Sequence, residues 1–471
     1  MAAERAVDPR EAAGEARAHR TAFGRFLGRI ASVEPGEVAA VVAAFALIFC
    51  VLGGYFAVRP VRETFGTILG RSRTQDLWVV TFIGALVVVP VYGALVARIR
   101  RGILLPLIYG VVALSLVGFA IAINADEKNA TVAATFYVWI SVMNLMLVSV
   151  FWSFALELFD AGQARRLFGF IAAGGTAGAL FGPFVTGTTV RYIGNTGVLL
   201  FSALMFCGAI VAQRILVGIW TRGDVASEPL PPAAAAEPRR PAAGSPAVPV
   251  AHRGRQDRAL GGNPFAGFSI LFQSPYLLMI ALFVFLLSIA NSILYFEQLA
   301  LVDHAYRNTA ERTQVFALID AAVQSLAILS QLFLTGRVAE RLGVVALLTI
   351  VPAAMVFGFG VMLVSSTLAV VISVMIVRRW GEYAFIRPGR EMLFSRLGTE
   401  TKYKAKNLID VPVYRGADAL SAQVSKVLEK AGFTTVGFAS LGVAFAFVWL
   451  AVGWWLGRRN DRATAAGESP G

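Results

Sequence analysis

Arginine and glutamate recur at helical spacing inside strongly hydrophobic stretches of this chain. Arg59, Arg62 and Glu63 close the first such stretch, and Arg378, Arg379, Glu382, Arg387, Arg390 and Glu391 crowd the tenth. A guanidinium offers a planar fork of donors that can hold phosphate or carboxylate through two hydrogen bonds, whereas lysine presents a point charge. Arg59 and Arg62 are three residues apart, as are Arg387 and Arg390, so each pair can address one helix face. A charge at bilayer depth costs about 3 kcal/mol or more and therefore faces a water-filled path or a partner. The pattern fits capture of an anionic solute. A structural reading competes with it, because Arg59 and Glu63, Arg378 and Glu382, and Arg387 and Glu391 are each four apart, the spacing of an intrahelical ion pair. Charges near span ends also snorkel to the headgroups. Glu297 reads as a substrate, gate or proton-coupling carboxylate, with an interbundle ion pair as its alternative, and Asp320, Asp410, Arg415 and Asp418 read as gate or ion-pair residues.

The elements that must position these side chains are membrane spans. With 57% hydrophobic and 15% charged residues in 471, the chain departs from soluble globules, in which about a quarter of residues are charged. Segments of about 18 or more apolar residues fall at 38–58, 77–97, 103–123, 133–156, 167–190 and 197–217, and again at 277–296, 315–335, 344–364, 368–386, 408–428 and 435–456. The expected fold is all-α and polytopic, with about twelve transmembrane helices in two six-helix bundles. The eighth segment carries Asp320, and the eleventh carries Asp410, Arg415 and Asp418, so those faces must be buried in protein or wet.

Five regions follow: a basic N-terminal segment (1–35), a first bundle (36–220), a linker (221–263), a second bundle (264–458) and a tail (459–471). The linker contains PLPPAAAAEPRRPAAGSPAVP, which has too little large apolar content to form a core and reads as disordered. Lysine and arginine concentrate in the tails, the linker and the even-numbered loops, which puts both termini in the cytoplasm. The net charge of +13 is then accounted for by topology and anionic lipid headgroups, without nucleic acid. Charges recur too often before Arg29 for a signal-peptide core, and Phe23, Phe26, Leu27 and Ile30 lie at the spacing of a surface helix.

Cys50 and Cys207 lie inside predicted spans, and the three histidines, His19, His252 and His304, lie in the tail, the linker and a loop. No metal or catalytic spacing results, so neither a metal, a cofactor nor an enzyme is expected. No GxxxxGK[ST] sequence occurs, which excludes Walker-type hydrolysis as an energy source. Gly174, Gly178 and Gly182 recur every four residues in the fifth span and should form a packing seam.

GRVAERLG after the eighth span resembles the cytoplasmic-loop signature of the major facilitator superfamily, and GALVARIRRG after the second resembles a copy lacking the acidic residue. That resemblance implies two bundles around a central cavity, with inverted three-helix repeats in each. GYFAVRPVRETFG, SVFWSFALELFDAGQARRLFGFIAAGG, SILYFEQLALVDHAY and RPGREMLFSRLGTETKYKAKNLIDVPVYRGADALSAQ look like the ATP/ADP translocase family of plastids and intracellular bacteria, in matching order from the first span to the eleventh. The likeness implies nucleotide exchange and maps that family's exchange residues onto Arg62, Glu297 and Arg390. Arginine replaces the family's lysine at both basic positions. Its fourth-span glutamate has no counterpart in FYVWISVMNLMLVSVFW, where Ser141 and Asn144 stand.

The first expectation is a monomeric secondary transporter in a bacterial inner membrane, moving a small, phosphate-bearing, nucleotide-like anion. Arg59, Arg62, Glu297, Arg387, Arg390 and Glu391 would hold the substrate. Glu63, Asp320, Arg378, Arg379, Glu382, Asp410, Arg415 and Asp418 would gate or pair. Two alternatives stand beside it: a proton-coupled exporter of amphiphiles using Glu297 and Asp320, and a non-transporting module that binds lipids or proteins.

Overall fold

A computed structural model describes residues 33–34, 36–99, 101–221, 271–395, 397, 405–406 and 408–466. The proposed linker and the amphipathic segment around Phe23 lie outside the described residues. Among those described, the chain is helical and contains no strand.

The first half comprises α1 (Val38–Leu69), α2 (Arg71–Arg98), α3 (Arg101–Ala125), α4 (Ala130–Leu158) and a continuous element Ala161–Thr221. Gly194, at φ 66°, breaks that element, giving α5 over 161–193 and α6 over 195–221. Only a residue without a Cβ takes this left-handed turn cheaply. The second half comprises α7 (Pro275–Ala305), α8 (Thr309–Phe333), α9 (Thr335–Val364), α10 (Leu368–Gly381, continued through a π-helical turn Glu382–Ile386 into Arg387–Ser395), α11 (a π-helical turn Ile409–Val413 followed by Tyr414–Lys430) and α12 (Thr435–Ala466). Nine of the helices in the described residues are long and apolar enough to cross a membrane, with α5 and α6 counted together. α10 and α11 are the charge-bearing spans that such a criterion passes over.

Each half owns a hydrophobic core. One gathers buried residues of α1 to α6, such as Val51, Phe65, Tyr109, Phe136 and Phe206. The other gathers residues of α7 and of α9 to α12, such as Phe283, Leu347, Phe359, Phe394 and Trp449, while α8 packs chiefly against the first half. The expected glycine seam joins α5 to α1: a Cβ on Gly174 would stand 2.6 Å from Phe45 O, and Cβ atoms on Gly178 and Gly182 would collide with Phe49 O and Gly53 O. These obstacles are backbone and cannot rotate away, so the two helices meet only because small residues line the contact. The second half has a comparable seam on α12, where a Cβ on Gly453 would stand 2.7 Å from Leu348 O and one on Gly457 2.5 Å from Val345 Cα.

Three boundaries differ from expectation. GRVAERLG is not a loop but a helical arm of α9 that turns at Gly343 (φ 72°). Asp461 stabilises that turn by accepting from the Val344 and Val345 amides at 3.2 and 3.4 Å, the carboxylate-to-amide contact that suits a helix start. α12 therefore continues to Ala466 rather than yielding to a tail at 459. α2 begins at Arg71, six residues before the expected span, and this carries Arg71, Gln75 and Asp76 into the helix.

Candidate functional site

The π-helical turn in α10 has a cause that can be traced. Pro388 has no N–H to donate back to the Ala384 carbonyl, which leaves that group to be satisfied elsewhere. Thr335 Oγ1 donates to Ala384 O at 2.9 Å, and Gln331 Nε2 donates to the neighbouring Tyr383 O at 3.2 Å. The widened turn re-aims Glu382, Tyr383 and Arg387, the kind of placement for which π-bulges recur at functional positions.

These side chains line a cavity of about 680 Å³ between the two halves. Of the fourteen charged residues singled out from the sequence, all but Glu297 line it: Arg59, Arg62, Glu63, Asp320, Arg378, Arg379, Glu382, Arg387, Arg390, Glu391, Asp410, Arg415 and Asp418. Neutral polar groups join them, among them Ser141, Asn144, Asn291 and Gln298. A second hollow of about 360 Å³ near the start of α2 has only Arg73 and Asp76 as charged lining, and Asp76 is engaged with Lys426 at 2.6 Å.

One end of the cavity is roofed by a directed chain of hydrogen bonds. Trp78 Nε1 donates to Tyr137 Oη at 2.9 Å, the Tyr137 and Tyr295 hydroxyls are 2.8 Å apart, and Tyr295 Oη donates to Glu63 Oε2 at 2.7 Å. Since Tyr295 spends its proton on Glu63, Tyr137 must donate to Tyr295. Tyr295 belongs to the second half and the other three to the first, so the roof is shared. Glu63 also pairs with Arg62, whose Nη1 donates to Ser141 Oγ at 3.1 Å and whose guanidinium lies 5.2 Å from the Tyr137 ring centre. Arg59 reaches from α1 toward Asp320 of α8 at 3.8 Å, and Arg379 of α10 holds the same Asp320 oxygen at 2.5 Å. Asp320 is thus one carboxylate that the two halves share.

Toward the other end, Glu382 bridges Arg378 at 3.2 Å and Arg387 at 3.3 Å. Arg387 lies 4.3 Å above the Tyr383 ring. Arg390 pairs with Asp410, and Lys406 holds Glu391 at 2.7 Å. The Arg387 to Glu391 pair suggested by spacing does not form, because the π-helical turn brings Arg387 back onto Glu382. Asp418 accepts from Ser288 Oγ at 2.8 Å and lies 3.9 Å from Arg415.

Glu297 lies outside the cavity, where Arg71 Nη1 reaches its Oε2 at 3.3 Å and Thr435 Oγ1 donates to its Oε1 at 2.8 Å. Arg71 also holds Glu429 at 2.5 Å and packs against the Phe296 and Phe438 rings, 5.9 and 5.2 Å from their centres. With Gln75 to Glu429 (2.9 Å), Thr64 to Thr313 (2.7 Å) and Arg312 to Thr67 (2.7 Å), these contacts join the halves at the face opposite the ends of the described chain. We call it the far face. The cavity extends from the aromatic roof toward the opposite, terminal face, where Arg390, Glu391 and Asp410 stand.

The description Major Facilitator Superfamily matches residues 44–385, more than half of the chain. The chain belongs to that superfamily. Among solved structures, this superfamily member is similar to a bacterial homologue of the iron transporter ferroportin in its inward-facing state (TM-score 0.61, 11% identity, covering 89% of this chain and 99% of that one). It is also similar to the nucleoside transporter NupG (0.53, 13%, 90% and 98%) and to a bacterial homologue of the human lysosomal transporter Spinster, inward-facing and unoccupied (0.53, 13%, 90% and 98%). At these identities the likeness establishes the fold. No curated protein matches. The protein is an integral, multi-pass membrane transporter of the facilitator type.

Sequence reasoning missed Arg71, Glu429, Tyr137 and Tyr383. Arg71 was passed over because RSRTQD interrupts the apolar run and so reads as loop. The tyrosines carried no signal beyond being aromatic near charge.

Proposed function

We propose that this protein is a secondary active transporter that carries a small anionic, phosphate-bearing metabolite across the membrane by alternating access. The observation that carries the reading is the arginine-lined cavity between the halves, roofed by Tyr137 and Tyr295 and reached from the terminal face. Arg59 and Arg62 contribute from the first half and Arg387 and Arg390 from the second, so one bound anion can touch both halves. A ligand that binds the two conformations unequally shifts the balance between them. The resemblance to ATP/ADP translocases and the fold shared with a nucleoside transporter favour a nucleotide-like solute. In a bacterial inner membrane with both termini cytoplasmic, this conformation faces the cytoplasm. Glu297 then serves as a gate partner of Arg71 rather than a substrate ligand.

The test is thermal stabilisation of the purified protein by nucleotides, sugar phosphates and carboxylates, repeated with Arg62→Ala and Arg390→Ala. A ligand selective for the native state raises apparent stability by mass action. Stabilisation by a phosphate compound that vanishes in both variants is expected, and a response that survives both substitutions refutes the reading. A proton-coupled mechanism draws on one observation, the buried Asp320 Oδ2 that has no hydrogen-bond partner, and predicts pH-dependent flux lost in Asp320→Asn without competition by anions.

A further inference from the structure

The cavity's charges are nearly balanced. Its lining holds seven guanidinia (Arg59, Arg62, Arg378, Arg379, Arg387, Arg390, Arg415) and six carboxylates (Glu63, Asp320, Glu382, Glu391, Asp410, Asp418). Seven minus six leaves one positive charge among the described residues, and Lys406, which sits on Glu391, makes two. A buried ion without compensation costs several kcal/mol after relaxation, and the cost rises steeply with the unmatched charge. A phosphate monoester carries about two negative charges and a triphosphate roughly two more. The first would neutralise the charge of the described lining and the second would exceed it.

The arginines are also unequally available. The side chains of Arg59, Arg62, Arg378, Arg379, Arg390 and Arg415 are 4 to 23% exposed, whereas that of Arg387 is 56% exposed. Among the described residues Arg387 has one carboxylate contact, at 3.3 Å, with a Glu382 that Arg378 also holds. Its guanidinium lies over the Tyr383 ring, and both residues line the cavity. An oxyanion can dock there without first breaking an internal ion pair, which is not so at Arg62 or Arg390.

Resting on the transporter reading above, we propose that this cavity selects small oxyanions of one or two charges, docked on Arg387 against Tyr383, and rejects nucleoside triphosphates. The inference departs from the ATP/ADP exchange implied by sequence resemblance. It assigns to the terminal half of the cavity the anionic end of the substrate, and to Ser141, Asn144, Asn291 and Gln298 the neutral end.

The experiment compares adenosine monophosphate, adenosine triphosphate and inorganic phosphate, without divalent cations, as stabilisers of the full-length protein in detergent. The monophosphate should bind at least tenfold tighter than the triphosphate. Arg387→Ala should weaken it tenfold or more, and Arg387→Lys should recover part of that loss. Glu391→Gln alters a side chain that is 57% exposed, keeps the fold and adds one positive charge, so it should narrow the preference. A triphosphate that binds as well as or better than the monophosphate overturns the charge limit while leaving the anion-transporter reading intact. Arg387→Ala behaving like the parent overturns the docking assignment, and the absence of any response across all three anions and a sugar phosphate overturns both.

Discussion

Removing the Arg71 side chain should unlock the far face. Arg71, from the first half, holds Glu297 at 3.3 Å and Glu429 at 2.5 Å, both from the second. The three side chains are 22%, 8% and 24% exposed, between the surface pairs worth about 0–1 kcal/mol and the buried pairs whose disruption costs about 3–5 kcal/mol. We take about 2 kcal/mol for Arg71→Ala. These contacts cannot persist once the far face parts, so the loss falls on the conformation described here alone. At about 1.4 kcal/mol per tenfold, the balance moves roughly 30-fold, and an alternative state populated at about 1% rises to roughly a quarter. With Cys50 and Cys207 replaced, spin labels at Thr131 on α4 and Val436 on α12, both exposed at the far face, report the separation by pulsed electron resonance. A second, longer distance should emerge in Arg71→Ala, and Glu429→Gln should produce a smaller share of it that does not add to the first. Arg166→Ala breaks a pairing with Glu37 inside the first half and should lower stability without lengthening the distance. An unchanged distribution in a folded Arg71→Ala protein would refute the clamp.

Three further outcomes follow from the same geometry. Gly178→Val puts side-chain atoms into the backbone of α1 and should cost about 3 kcal/mol, seen as a lowered unfolding temperature by tryptophan fluorescence in detergent. Asp320→Asn removes the negative charge that Arg379 pairs with at 2.5 Å and should cost about 3 kcal/mol, with stability regained in Asp320→Asn, Arg379→Gln, as measured by the same unfolding assay. Glu63→Gln frees Arg62 from an internal competitor and should tighten phosphate binding about tenfold, measurable by ligand-dependent thermal shift.

Much of the architecture was legible because its causes are local. Apolar run length marks a span, and Gly174, Gly178 and Gly182 mark a seam, whatever packs against them. The clustering of thirteen charged residues around one cavity was also foreshadowed, since charge in lipid has few other places to go. Two of the three pairs suggested by spacing form, Arg378 with Glu382 at 3.2 Å and Arg59 with Glu63 at 3.9 Å, and the other pairings escaped. Spacing offered Arg387 and Glu391 as partners, but Pro388 removes a backbone donor, the helix widens, and Arg387 turns to Glu382. Glu297 offered a carboxylate at depth, yet its partner Arg71 sits in a stretch too polar to be read as helix. Partner identity depends on which helices meet, and that is a property of the whole bundle.

The pairing pattern bears on how binding and movement are joined. Every arginine in the cavity except the exposed Arg387 is held in a largely buried ion pair of the same chain, so an anion moving past Arg387 competes with groups tethered at high local concentration. Such a site favours ligands that offer a fork of oxygens matching two donors at once, because a single contact does not outweigh the carboxylate it displaces. Glu63 makes the competition mechanical, since it accepts from Arg62 of its own half and from Tyr295 of the other. An oxyanion that takes the Arg62 fork releases Glu63, and with it the last acceptor of the Trp78, Tyr137 and Tyr295 chain that roofs the cavity. Binding deep in the site thereby weakens the closure above it, whereas an anion held only at Arg387, near the terminal face, leaves the roof in place. On this reading docking at Arg387 and commitment at Arg62 are separate steps on the same path, and the anion must travel from one to the other before the roof is released.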